Sequence, residues 1–291
     1  MLLVMLRGVR GLLERDGGRR LREDTRIAVL ETVKQQYVTQ VLVDEAPDFS
    51  PVELACMQEL AHPAFRAFLA CGDVRQRVTQ WGMREWSELR WVSPDFERRE
   101  VDVRYRQSQR LAELATAIAQ LGGGEALALR PPENVDEVDV LPILGERLKE
   151  SKLAQWLCDR ILEVERSVGR LPSIAVFLDS DDQIEPLVAE LGPLLREHNL
   201  DAVACREGRV VGTESQIRVF EVQYIKGLEF EAVFFVGVDR LIALYPDLFD
   251  KFLFVGVTRA ATYLGVTCEE NLPMILEPLR PHLRGKDWSN A

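Results

Sequence analysis

Short apolar runs alternate with helical periodicities along this chain. Val41–Val43 is a β-branched run that stops on two adjacent carboxylates, Asp44 and Glu45, and so predicts a buried strand delivering acids to its C-terminal end. Ser50 and Pro51 then provide an N-cap and a first-turn proline for a helix over Val52–Leu60. Ala67–Cys71 is apolar again and ends at Gly72-Asp73 followed by Val74-Arg75-Gln76, which predicts a second strand bringing polar side chains to the same sheet edge. Upstream, Ile27, Leu30, Val33 and Tyr37 share one helical face, while the Arg- and Gly-rich stretch Met1–Arg26 reads as short helices or loops.

An aromatic segment with Trp81, Trp86 and Trp91 precedes the turn Ser93-Pro94-Asp95, which marks a hinge and divides the chain into residues 1–95 and 96–291. Beyond it, Val101–Tyr105 is strand-like, and a helix opening at Arg106 and Ser108 runs through Leu111, Leu114 and Ile118. Gly122–Gly124 and Pro131-Pro132 mark an exposed loop. Helices are then predicted over Leu148–Val168, Ile184–His198 and Phe252–Thr262, and strands over Ile174–Leu178, Ala202–Cys205, Ile217–Val222, Ala232–Val238 and Tyr263–Thr267. Alternation of this kind predicts an α/β fold, a parallel sheet with helices on both faces.

With 47% hydrophobic and 29% charged residues the composition is that of an ordinary globular protein, and 291 residues suffice for two modest cores. No apolar run reaches the roughly 18 residues of a spanning helix, and MLLVMLRGVRGLL is too short and Arg-interrupted for a secretion signal. No membrane association and a cytoplasmic location are expected. The five cysteines, Cys56, Cys71, Cys158, Cys205 and Cys268, are scattered without C-x-x-C spacing and suit reduced, buried thiols. His62, His198 and His282 make no local metal motif. A net charge of −11 argues against bulk electrostatic coating of nucleic acid, but leaves room for a local groove that stacks aromatics on one strand.

One carboxylate at a strand end can hold Mg²⁺ through its waters while its neighbour orients an attacking water, so Asp44-Glu45 suits nucleoside triphosphate hydrolysis. Four further segments, in order, extend that reading. TQVLVDEAPDFS (Thr39–Ser50), GDVRQRVTQWG (Gly72–Gly82), VRYRQS (Val103–Ser108), KGLEF (Lys226–Phe230) and FVGVTRA (Phe254–Ala260) together resemble the motifs of UvrD/Rep/PcrA-type superfamily 1 DNA helicases, over about Ile27 to Thr267. KGLEF followed by VTRA is highly specific as a pair. The resemblance implies a P-loop NTPase helicase fold: two RecA-like parallel-sheet domains, the first incomplete.

By the same resemblance Asp44 holds Mg²⁺, Glu45 polarises the water and Gln76 senses the γ-phosphate. Tyr105 stacks on the adenine, Glu229 contacts the ribose, and Lys226 and Gly227 belong to the nucleotide site. Arg106 and Arg259 stabilise charge on the transferred phosphate, and Trp81 stands where the family stacks a base. The implied cofactors are ATP and Mg²⁺, the implied partner single-stranded DNA, and the implied process DNA repair.

Several positions depart from the family pattern. No GxxxxGKT or GxxxxGKS phosphate loop occurs in the chain; the family places it well upstream of the Asp-Glu strand, so Met1–Tyr37 is too short to contain it or the first DNA-contacting motifs. Pro47, Thr79 and Gly82 replace a glutamine, a tyrosine and an arginine common in the family, and Glu221-Val222-Gln223 stands in place of T-x-H, where a carboxylate would repel a backbone phosphate. The expectation is therefore the C-terminal portion of an ATP-dependent 3′-to-5′ helicase, as a fragment, a truncated form or half of a split motor whose phosphate loop lies on an upstream polypeptide. The alternative is a non-hydrolysing pseudo-helicase that binds a partner or a single strand. A nuclease is disfavoured, because no E-x-K follows Asp95 within reach.

Overall fold

The computed structural model describes residues 1–22, 27–101, 107–123, 140–149, 151–213, 215–285 and 287–288. The chain forms two compact units, Met1–Glu100 and Val101–Ala291.

In the first unit, α1 (Leu2–Arg22) and α2 (Ala28–Lys34) precede β1 (Gln40–Val43), α3 (Pro51–Gln58), β2 (Ala67–Ala70) and the short α4 (Leu89–Val92). One continuous α1 replaces the short helices or loops expected for Met1–Arg26. Gly8 and Gly11 each cost about 1 kcal/mol of helix propensity, but tertiary contacts offset this. Leu13 is fully buried, and Arg7 Nε and Arg10 Nη1 donate to the two carboxylate oxygens of the buried Glu59 at 3.0 and 2.9 Å.

β1 and β2 pair in parallel, with Val41 opposite Phe68 and Val43 opposite Ala70. Those four residues turn toward a core of Val43, Ala46, Leu54, Ala55, Met83, Leu89 and Val92. The alternate residues face the other way, and Leu42 and Leu69 are 64% and 56% exposed. The fully buried strand expected at Val41–Val43 is thus buried on one face. An apolar run of three cannot by itself distinguish one covered face from two. α3 starts as its sequence predicts, in a complete capping box. Glu53 N–H donates to Ser50 Oγ at 3.3 Å and Ser50 N–H donates to Glu53 Oε2 at 2.8 Å.

The second unit contains α5 (Gln109–Leu121), β3 (Ile143–Gly145), α6 (Ser151–Val168), β4 (Ile174–Leu178), α7 (Ile184–Arg196) and β5 (Ala202–Cys205). It continues with β6 (Ile217–Glu221), β7 (Phe230–Phe235), α8 (Val238–Leu244), α9 (Phe249–Thr258) and β8 (Ala260–Thr267). Six described strands make one parallel sheet in the order β3-β8-β7-β4-β6-β5. This is the α/β fold with a parallel sheet that the pattern predicts. β3 and α8 were not foreseen. β3 has only three residues, and α8 continues an apolar run that reads equally well as strand.

Both faces of the sheet are covered, which a parallel sheet requires. On one face α6 and α7 pack Leu157, Ile161, Leu187 and Leu191 against Ile174, Val176, Val219 and Phe234. On the other, Phe177 meets Phe220, Phe230 and Phe235 in edge-to-face contacts. Gly256 of α9 lies so near Phe235 that a Cβ would stand 2.6 Å from the ring, so the helix closes on the sheet only because this residue lacks a side chain. The strand-like Val101–Tyr105 and the Pro131-Pro132 loop fall wholly or largely outside the described residues.

Candidate nucleotide and nucleic-acid site

In the first unit the carboxylates follow the C-terminal end of β1. Asp44 is exposed and Glu45 half-buried, with Glu45 in the left-handed region at φ 52°. The sharp turn lets Glu45 N–H donate to Asp44 Oδ1 at 2.8 Å, and Cys71, at the end of β2, brings its Sγ to 3.3 Å from the same oxygen. Ala46 N–H donates to Cys71 O at 2.8 Å and Cys71 N–H to Val43 O at 2.9 Å, so the two strand ends form one edge. Gly72, at φ 147°, passes so close to Pro47 that a Cβ would lie 2.5 Å from its Cδ. Pro47, the departure from the family glutamine, is therefore a packing residue under the Gly72-Asp73 turn.

Asp73 accepts from Arg75 N–H at 3.0 Å and from its Nε at 2.9 Å, which shapes the turn that presents the half-buried Gln76. Asp48 ties the next segment down. Its Oδ1 accepts from Val78 N–H at 3.3 Å, and its carbonyl accepts from Thr79 Oγ1 at 2.9 Å. Thr79, in place of a tyrosine, is thus part of the scaffold. Gly82 is buried there, where a Cβ would meet Pro47 O at 2.3 Å, so an arginine at this position could not be seated without moving the loop. Trp81, its neighbour, is 66% exposed.

An exposed Asp44 with a structured neighbour fits Mg²⁺, which takes one or two protein carboxylates, substrate phosphates and waters. Among the described residues no cluster of three or more histidine, cysteine or acidic side chains is poised to hold a metal by itself. Cys71 is exposed, correcting the expectation of buried thiols, whereas Cys158, Cys205 and Cys268 are buried.

In the second unit the KGLEF segment forms a turn before β7 and Arg259 lies between α9 and β8, so both stand at the N-terminal ends of their strands. Gly227 adopts φ 78° with open space around it, and Lys226 is half-buried and Glu229 exposed. Phe230 N–H donates to Arg259 O at 2.9 Å, and Arg259 Nη1 donates back to Leu228 O at 3.4 Å. Arg259 is 8% exposed, and its Nε donates to Val255 O at 3.2 Å. Its side chain lies against its own unit in this state. Tyr105 and Arg106 lie outside the described residues. Gln107 and Ser108, which follow them, dock on the same turn: Gln107 Nε2 donates to Val257 O and Ala260 O, and Ser108 N–H to Ala261 O.

The opposite edge of this sheet is acidic. Asp179 after β4 is 1% exposed and accepts Arg240 Nε at 3.0 Å and Nη2 at 2.6 Å, while Arg240 Nη1 donates to Glu269 Oε1 at 2.6 Å. Burial pushes the Asp179 carboxyl up, against the lowering pull of Arg240. Glu221, at the end of β6, is buried and accepts from Gln223 Nε2 at 2.8 Å, and the same nitrogen donates to Tyr245 OH at 2.7 Å. Burial first, then Asp181, Asp179 and Asp182, raise the Glu221 carboxyl. The sequence offered no sign of the roles of Arg240 or Gln107, because the partners of Arg240 lie 61 and 29 residues away and those of Gln107 lie 150 or more.

The second unit thus has a parallel α/β architecture, with six described strands in one sheet. Residues 216–267, which hold β6, the KGLEF turn, β7, α8, α9 and β8, match the family of UvrD-like helicase C-terminal domains. Over that segment the chain is similar to UvrD-like helicase C-terminal domains. A solved structure, the C-terminal domain of a possible DNA helicase from Lactobacillus plantarum WCFS1, is similar over 60% of this chain and 93% of its own length, at 17% identity and a TM-score of 0.44. No curated protein matches the chain. Among the described residues no helix is long and apolar enough to cross a membrane.

Proposed function

We propose that this chain is the C-terminal portion of a UvrD-like, ATP-dependent 3′-to-5′ DNA helicase or translocase that works on single-stranded DNA in the cytoplasm, in DNA repair. The observation that supports this best is the interlock of the KGLEF turn with Arg259, made by Phe230 N–H on Arg259 O and Arg259 Nη1 on Leu228 O, inside the segment that matches the family. Bound Mg²⁺-ATP supplies the phosphoryl group. Asp44 holds the metal, Glu45 orients the attacking water, Gln76 reads the γ-phosphate and Trp81 stacks on a base. Tyr105, Lys226, Gly227 and Glu229 contact the nucleotide, while Arg106 and Arg259 offset charge on the transferred phosphate. Arg259 leaves its backbone carbonyls to do so, which couples hydrolysis to domain closure.

The phosphate loop comes from polypeptide outside these 291 residues. The chain by itself then binds ATP in the millimolar range, about 4 kcal/mol, and shows no DNA-stimulated hydrolysis. A polypeptide with GxxxxGKT, added in trans or joined upstream, restores turnover, and Glu45→Gln or Arg259→Ala removes it, the latter by roughly 10³–10⁵-fold. Steady-state ATPase assays with single-stranded DNA test this, and DNA-dependent hydrolysis by the chain alone refutes it. A second reading is a non-hydrolysing helicase-like module that binds a partner or a single strand, and the acidic residues around Glu221 favour the partner, since they would repel a strand's phosphates. That reading expects no rescue.

A further inference from the structure

We infer that Gln107 is a positioning residue for Arg259, acting as a side-chain clamp on the turn that carries it. The last carbonyls of a helix have no partners within the helix and must find others. At the end of α9 those partners can be named. Val255 O accepts from Thr258 Oγ1 at 2.9 Å and Arg259 Nε at 3.2 Å, and Gly256 O accepts from Arg259 N–H at 3.2 Å. Val257 O and Ala260 O, which flank Thr258 and Arg259, accept from the one carboxamide nitrogen of Gln107, at 3.1 and 3.2 Å.

An amide nitrogen has two N–H groups and no acceptor capacity, so Gln107 can satisfy both carbonyls at once. Ser108 N–H adds a third bond, to Ala261 O at 3.0 Å, and Ser108 is buried and caps α5 through Leu111 N–H. The turn is thereby held from two sides, by Gln107-Ser108 and by Phe230 N–H on Arg259 O. Gln107 directly follows Arg106 in the chain. The catalytic meaning of this clamp rests on the proposed role of Arg259, but the clamp itself does not.

The test reads Arg259 directly in the purified chain, by phenylglyoxal labelling followed with peptide mass mapping. Arg259, a residue 8% exposed, reacts through local opening of its turn. Gln107→Glu keeps the shape but cannot donate to either carbonyl, and loss of the two bonds speeds Arg259 labelling by about tenfold. Gln107→Lys, a donor of similar reach, stays close to the unmodified rate. Labelling of Arg240, at the other edge of the sheet, does not change in either variant. If Gln107→Glu does not fold, Gln107→Ala replaces it with the same expected rise. An unchanged Arg259 rate in a folded variant, an equal rise at Arg240, or an equal rise in Gln107→Lys overturns the inference. The readout requires no hydrolysis, so it stands or falls separately from ATPase rescue.

Discussion

Replacing Arg240 by methionine should cost the second unit about 3 kcal/mol at neutral pH. Arg240 gives two hydrogen bonds to Asp179, which is 1% exposed, and one to Glu269. Removing one member of a buried ion pair typically costs about 3–5 kcal/mol, because the other charge is left without compensation. The lower end applies here, since the Arg240 side chain is 33% exposed and water can reach the vacated position. For a unit of this size that corresponds to a melting-temperature drop of about 6–12 °C.

The pH dependence has a definite sign. Burial already raises the Asp179 carboxyl above its ordinary value of 3.8, and losing the guanidinium raises it further. A raised carboxyl means that the folded state binds the proton more tightly than the unfolded chain, so stability falls as pH rises through the folded value. The deficit of Arg240→Met is therefore largest at neutral pH and shrinks on acidification, as Asp179 becomes neutral and the pair is lost in both proteins. Urea denaturation followed by circular dichroism at several pH values measures it. A second change, Asp179→Leu, should recover a substantial part of the loss, because a buried apolar pair often replaces an ion pair at little cost. A deficit below about 1 kcal/mol, or one that grows as pH falls, would refute the reasoning.

Four further outcomes are expected. Trp81→Ala should cost about 1–3 kcal/mol of single-stranded DNA binding by fluorescence titration. Trp156→Ala, which removes a ring packed on Phe234, should instead cost about 3–5 kcal/mol of stability. Ser50→Ala breaks the capping box and should destabilise the first unit by about 1 kcal/mol in chemical denaturation, with a larger loss meaning that Ser50 does more than cap α3. A maleimide at pH 8 should label the exposed Cys71, while Cys268, buried and with its thiol pushed up to about 12, stays unlabelled by mass spectrometry until the protein unfolds.

What could be read from the chain was what is written locally. The strand at Ile174–Leu178, the Ser50-Pro51 helix start and the β-α-β rhythm of the second unit depend on period and caps, and all three stand in the structure. α1 was missed because its stability comes from Glu59, more than forty residues away, and not from its own glycine-containing sequence. The exposure of Leu42 and Leu69 was missed because unbroken apolar runs, Val41–Val43 and Ala67–Cys71, predict burial without saying how many faces are covered. The roles of Pro47, Thr79 and Gly82 were hidden for the same reason as α1. Each looked like a lost functional residue, and each proves to be a fitted piece of the loop that carries Asp44, Glu45 and Gln76.

The two edges of the second sheet divide the chemistry. An open parallel sheet ordinarily offers ligands the crevice beyond the C-terminal ends of its strands. Here that edge holds Asp179, Asp181, Asp182 and Glu221, and its Arg240 is committed to Asp179 and Glu269. A phosphate there would meet acids first. Lys226, Glu229 and Arg259 instead precede β7 and β8, at the other end of the strands, where Phe230 N–H and Gln107 hold the turn in place. A cation placed at the edge that an open sheet does not use for its own ligand suits a nucleotide whose phosphates are gripped elsewhere. On the proposed function, phosphates would have to be approached from the edge that carries Arg259 and not from the acidic one, where Glu221 and its neighbours would repel them.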